Sequence, residues 1–203
     1  MPKAKPAADQ STEEKIKEAA SKVFTQKGYA ATRTRDIADE AGLNLALLNY
    51  YFRSKEKLFE VVMMEKLQKM FGHIVPVVND AGTSLEKKIA LIAGNYIDMI
   101  TAAPDLPIFV LSEIRQHPDR FGSRLQVGKL LRESVLIKQL QEKRPDVNPL
   151  HFMMSLLGMT IFPFVAMPVF QAEHVASRQA FQALMEERKL LIPKWVKAML
   201  KAK

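Results

Sequence analysis

Apolar residues recur at intervals of three and four along almost the whole chain. The first such row is Ile16, Ala19, Ala20, Val23 and Phe24, behind a start signal Ser11-Thr12-Glu13-Glu14 that puts acids in the first turn. Gly28 is placed to close that helix in a left-handed conformation. Thr32 then caps a second helix through about Ala41, and Gly42 ends it. Asn44 caps a third through about Phe52, and Ser54 opens a long fourth to about Val78. Further helical rows are predicted near 84–102, 105–116, 122–143, 148–170 and 177–200. No stretch alternates with period two between turn pairs, so the predicted fold class is all-α.

Two of the short helices belong together. Ala38, Gly42 and Leu48 stand where a helix-turn-helix needs a small residue at the crossing, a glycine at the turn and an apolar pin on the second helix. Ile37 faces the core and Leu43 fills the corner. On a helical wheel Leu48 and Phe52 define the inward side of the third helix, and Ala46, Asn49 and Tyr50 fall opposite. Asn44 and Leu45 occupy its N-terminal end, the end that enters a major groove in such motifs. Asparagine amides suit adenine edges and small apolar groups suit thymine methyls. Tyrosine hydroxyls and lysines suit phosphates, which position a protein without reading sequence. An ordinary exposed amphipathic helix is the competing reading of this short pattern.

Charge sharpens this only slightly. The net charge is +8, which favours an anionic partner, yet the first sixty residues are nearly balanced, with 11 Lys and Arg against 9 Asp and Glu. Placement says more: cations bracket the two short helices between Arg33 and Lys57. The absence of cysteine excludes disulfides and thiolate metal sites. The polar start MPKAKPAADQ has no apolar core of a secretory signal. The apolar stretch Phe152–Phe170, interrupted by Pro163 and Pro168, reads as a buried helix pair rather than a membrane span, and a cytoplasmic location is expected.

The ordered set Phe24…Gly28-Tyr29, Thr32, Ile37-Ala38, Ala41-Gly42-Leu43, Leu48, Tyr50-Tyr51-Phe52 and Ser54-Lys55-Glu56-Leu58 resembles the DNA-binding segment of the tetracycline-repressor (TetR) family of bacterial regulators. The likeness covers about residues 12–60. Asn49 stands where tyrosine is common and Leu43-Asn44 where Val-Ser is frequent, so base preference is not transferable. The resemblance implies three parts: a flexible arm over 1–11, a helix-turn-helix domain over 12–57, and a helical ligand-binding and dimerisation domain over 58–203. It implies phosphate contacts from Thr32 and Arg33, and base contact from Arg35. Asn44, Leu45, Ala46, Asn49 and Tyr50 would face the groove, with Tyr51 and Lys55 gripping phosphates. It also implies a homodimer joined through its last two helices on a near-palindromic double-stranded operator, and repression relieved by a small apolar or amphipathic effector.

The effector site has no signature of its own. Asn95, Tyr96, Glu113, Arg115, His117 and His151 are the polar candidates within apolar helices. Glu113 and His117 are four apart, which alone does not make a metal site; no metal and no cofactor are expected. No phosphate loop, nucleophile elbow or zinc-protease motif is present, so no enzyme is expected. The remaining alternative is a helical ligand-binding or adaptor protein that does not read DNA.

Overall fold

The computed structural model describes residues 7–118 and 127–201, and among these there are helices and no strands. Helix α1 runs Ala7–Ala31, α2 Thr34–Ala41, α3 Leu45–Phe52, α4 Lys55–Phe71, α5 Ile74–Asn79, α6 Leu85–Ala102, α7 Asp105–Gln116, α8 Val127–Glu133, α9 Val135–Lys143, α10 Pro149–Ala172 and α11 Arg178–Lys201. The chain divides into two compact units, Met1–Gln68 and Lys69–Lys203.

The first unit closes around aromatic rings. Phe24 of α1 meets Phe59 of α4 edge-on with centroids 5.0 Å apart, and Tyr29 leans on Phe59 at 4.7 Å. Ile16, Ala20, Val23, Ile37, Leu48, Leu58 and Met63 complete the buried set. These are the rows that the three-and-four periodicity picks out, and burying them is the main favourable term in forming the unit. The ammonium of Lys17 lies 2.7 Å from both Glu14 and Glu65, and these bonds push its pKa up to about 12.

In the second unit α6 packs against α5, α7, α9, α10 and α11. It buries Leu85, Ile89, Ile92, Tyr96, Ile97 and Ile100 along one side. Ser84 caps it by accepting from Lys87 N. A fully buried Lys88 stitches the preceding turn to α9. Its ammonium donates to the Thr83 carbonyl and, at 3.0 Å, to Gln139 Oε1, while Gln139 Nε2 returns to the same carbonyl at 3.0 Å. Arg144 donates to the Leu200 carbonyl at 2.7 Å, closing the C-terminal end of α11.

Several predicted elements are corrected. The long fourth helix breaks at Gly72-His73 into α4 and α5. The helix predicted over 122–143 is interrupted at Ser134, whose hydroxyl caps α9 by accepting from Ile137 N; residues 122–126 of that segment lie outside the described residues. The predicted helix pair over 152–170 is one continuous α10 with both prolines inside it, and Pro193 likewise sits within α11. By length and composition α10 is apolar enough to cross a membrane; here it packs on α6, α7, α9 and α11 and buries Phe152, Leu156, Ile161 and Phe164. Gly28 does interrupt α1 with positive φ, but its ψ of 168° is extended rather than left-handed helical. α1 begins at Ala7, inside the expected arm, and the earlier arm residues lie outside the described residues.

Among the described residues four carboxyls are held below their ordinary values. Asp36 accepts from Arg33 N and faces Lys27, and Asp80 accepts from the Thr83 hydroxyl and Gly82 N. Glu86 faces Lys143, and Asp146 faces the Arg144 guanidinium. A depressed carboxyl stabilises the fold at every pH above its unfolded value and loses that contribution as pH falls through the lower folded one. The melting temperature should therefore hold steady down to about pH 5 and drop as pH falls below about 4. Asp80→Asn should shallow that acid limb; a melting temperature unchanged down to about pH 2.5, or an unaltered limb in the variant, contradicts the assignment.

Candidate nucleic-acid interface

The turn between α2 and α3 has the geometry that the glycine demands. Gly42 adopts φ 66°, ψ 31°, and its N–H bonds to the Asp39 carbonyl at 3.1 Å while Leu43 N reaches Ala38 O at 3.0 Å. A Cβ at Gly42 would strain this left-handed backbone even though nothing crowds it. Asn44 then caps α3, its Oδ1 accepting from Leu47 N at 2.7 Å. Leu48 and Phe52 are buried, so the opposite side of α3 is fixed outward.

That outward side carries the predicted row. Asn44, Ala46, Asn49 and Tyr50 are exposed and Leu45 is half-buried. Tyr50 is 73% exposed, which is extreme for a large aromatic, and its ring meets Tyr51 edge-on at 5.3 Å. The Asn49 amide bonds to none of the described residues. Asn44 differs: its oxygen serves the helix cap, so its amide hydrogens are what it presents outward.

The N-terminus of α2 departs from expectation. Thr32 is 1% exposed and its hydroxyl donates to the Gly28 carbonyl at 2.7 Å, so it neither caps α2 nor faces outward. Arg33 holds the cap position with extended backbone, and its N–H donates to Asp36 at 3.0 Å. The side chains of Arg33 and Arg35 are exposed. Thr34, passed over in the sequence, is half-buried on the first turn, where a hydroxyl adds to the free N–H groups of a helix start.

Lys55 is committed internally. Its ammonium donates to the carbonyls of Tyr29 and Thr32, both at 3.0 Å, and lies 4.3 Å from the centre of the Tyr29 ring. Two of its three donors therefore tie the end of α1 to the start of α4. Hydrogen bonds from charged donors contribute about 1.5–3 kcal/mol each. Lys55→Met should lower the thermal stability of the chain by about that much overall, before any DNA is added. An unchanged melting temperature would show that the ammonium acts outward only.

Residues 16–62 match the family described as bacterial regulatory proteins, tetR family. The match takes in α2 and α3 whole, with the later part of α1 and the start of α4. The chain is 30% identical over 128 residues to the HTH-type transcriptional repressor KstR2 of Mycolicibacterium smegmatis, an alignment covering 57% of this chain and 62% of that protein. The chain thus spans less than two thirds of this relative. Among the solved structures that share its fold are two regulators. The fatty acid degradation regulator FadR of Bacillus halodurans superposes with a TM-score of 0.65 at 20% identity, over 94% of this chain and 96% of that one. FadR of Bacillus subtilis, solved in complex with stearoyl-CoA, superposes with a TM-score of 0.62 at 17% identity, over 88% and 96%.

In the second unit the six polar pocket candidates do not converge. Asn95, Arg115, His117 and His151 are exposed. Tyr96 and Glu113 are buried, and burial pushes the Tyr96 phenol well above its ordinary value. Helical spacing placed them on apolar helices but not on one side of a shared space. An open apolar groove lies instead between α10 and α11, with a volume of about 790 Å³, walled by Phe162, Phe170, Phe181, Leu184 and Leu191. Gly158 borders it, and a Cβ there would meet nothing in this chain. Arg188 crosses the groove, donating to the Met159 carbonyl at 2.6 Å and lying over the Trp195 ring.

Proposed function

We propose that the chain is a DNA-binding transcriptional regulator, a dimeric cytoplasmic repressor that leaves a near-palindromic operator when a small apolar or amphipathic molecule binds its second unit. The observation that carries the reading is the outward side of α3: an uncommitted asparagine amide, small apolar groups and an exposed tyrosine on a helix pinned by Leu48 and Phe52. Its only use as drawn is against another surface, and its chemistry is that of base edges and phosphates. Asn49 reads a base, with Leu45, Ala46 and Tyr50 beside it. Arg33, Arg35 and Thr34 hold the backbone at the start of α2, with Tyr51 at the other end. Thr34 takes the phosphate role first given to Thr32, because only Thr34 has its side chain near the surface.

The dimer reading rests on the last two helices. Phe162, Val169, Leu184 and Leu190 are all exposed there, and Phe162 and Leu184 face the same groove, apolar surface that a second copy would cover. One α3 reads one half-site, and two need a twofold. Repression is supported by the name of the KstR2 relative, and a fatty acyl type of effector by the FadR complex with stearoyl-CoA. The reading is of a regulator rather than a catalyst. Selection of bound duplexes from a random pool tests it: an enriched inverted repeat is expected, and no enrichment over a scrambled pool means a helical binding protein that does not read DNA.

A further inference from the structure

The face of α11 that the proposed dimer covers carries a cation in the middle of an apolar seam. Leu184, Arg188, Leu191 and Trp195 recur at alternating intervals of four and three, the spacing at which one helix meets another. Arg188 is half-buried, and the Trp195 ring, 5.1 Å away, holds its guanidinium along the seam. A guanidinium has five N–H donors. Among the described residues this one makes a single hydrogen bond, to the Met159 carbonyl, and no ion pair. Its Nε is already shut off from water without an acceptor among those residues. Burial pulls its pKa below the ordinary value.

Covering the groove takes the rest of this cation out of water, and a buried charge without a partner is strongly destabilising. A second copy that covers it must therefore bring an anion. Among the described residues that line the groove, the acid is Glu187. It is exposed and has no ion pair among them, whereas Glu186 beside it is bonded to Lys189 at 2.7 Å. Glu187 does not neutralise the Arg188 of its own chain, because consecutive side chains on a helix do not face each other. Across a twofold it can: in such a contact residue i meets j while j meets i. Leu184 and Leu191 flank Glu187 and Arg188 evenly, which suits an axis passing between them.

We propose that in the dimer Arg188 of each copy pairs with Glu187 of the other, inside the apolar seam of α11. The inference rests on the dimer reading and adds what selects the partner. An apolar seam by itself accepts any similar seam. A charge pair within it fixes the register and rejects a helix that lacks the complement. The planar guanidinium suits a carboxylate in a two-bonded fork, which a lysine does not reproduce. The face is built for a second copy of this chain.

Charge reversal in the full chain tests it, without DNA, read by sedimentation equilibrium and native mass spectrometry. Arg188→Glu and Glu187→Arg each set like charges against each other and should weaken the dimer by about tenfold or more. An equimolar mixture of the two variants restores both pairs. It should give a one-to-one heterodimer about tenfold or more tighter than either variant alone. The chain carrying both changes should dimerise about as well as wild type. Glu187→Arg alters an exposed side chain, so it decides the matter even where Arg188→Glu disturbs the packing on α10; circular dichroism and melting curves check both. A Glu187→Arg chain as dimeric as wild type overturns the pair, and so does a mixture that gains nothing over its components. A wild-type chain that is monomeric at micromolar concentration removes the dimer reading and this inference together. A dimer broken by charge at Phe162 and Leu184 but indifferent to both reversals keeps that reading and loses only the pair.

Discussion

Asn49→Ala is expected to lower affinity for the selected operator by about 1–3 kcal/mol per half-site, and so by about one and a half to four orders of magnitude in a dimer. The loss should fall on the operator and spare scrambled duplex, with relaxed preference at one base pair in each half-site. The reason is specific to this residue. Its amide is exposed and bonds to none of the described residues, so both its donor and its acceptor remain for a base edge. Asn44 makes the comparison: with its oxygen accepting from Leu47 N, Asn44→Ala removes a helix cap and should cost stability of about 1 kcal/mol in the free protein. Titration against operator and scrambled DNA at several salt concentrations, with melting curves, separates the two. Equal weakening on both DNAs by Asn49→Ala would remove it from base reading.

Placing charge on the groove face should be as severe. Phe162→Glu with Leu184→Glu is expected to give a folded monomer whose operator affinity is about 10²–10⁴-fold lower, because each half-site must then be bound without the benefit of a linked second one. Both side chains are largely exposed in the single chain, at 64% and 48%, so the core does not depend on them. Sedimentation equilibrium and helical circular dichroism decide the matter. A variant that stays dimeric puts the interface elsewhere, and a wild-type chain that is monomeric at micromolar concentration removes the dimer altogether.

What could be read from the sequence was local. Helix existence, the Gly42 turn, the Asn44 cap on α3 and the buried rows around Phe24 and Leu48 all follow from spacing and side-chain type within a few residues. Those signals suffice because a helix satisfies its own backbone and shows its periodicity in the order of residues. The orientation of α3 was legible for the same reason: once Leu48 and Phe52 are inward, Asn49 and Tyr50 are outward. The tetR resemblance then supplied the order of parts.

The rest was decided by groups distant in sequence. Thr32 and Thr34 are alike on paper, and only the break at Gly28 turns the first inward, onto a carbonyl four residues back, and leaves the second near the surface. Lys55 reads as a free cation until α1 and α4 meet and bring two carbonyls, 26 and 23 residues away, to its ammonium. Lys88 reads as a surface lysine until α9 covers it with Gln139, 51 residues on. A charged side chain goes wherever hydrogen bonds replace its water, and those partners come from the tertiary fold. Cavities follow the same logic. The polar residues singled out between Asn95 and His151 scatter because a pocket is the space between helices, and the distances between helices have no counterpart in the spacing along one of them.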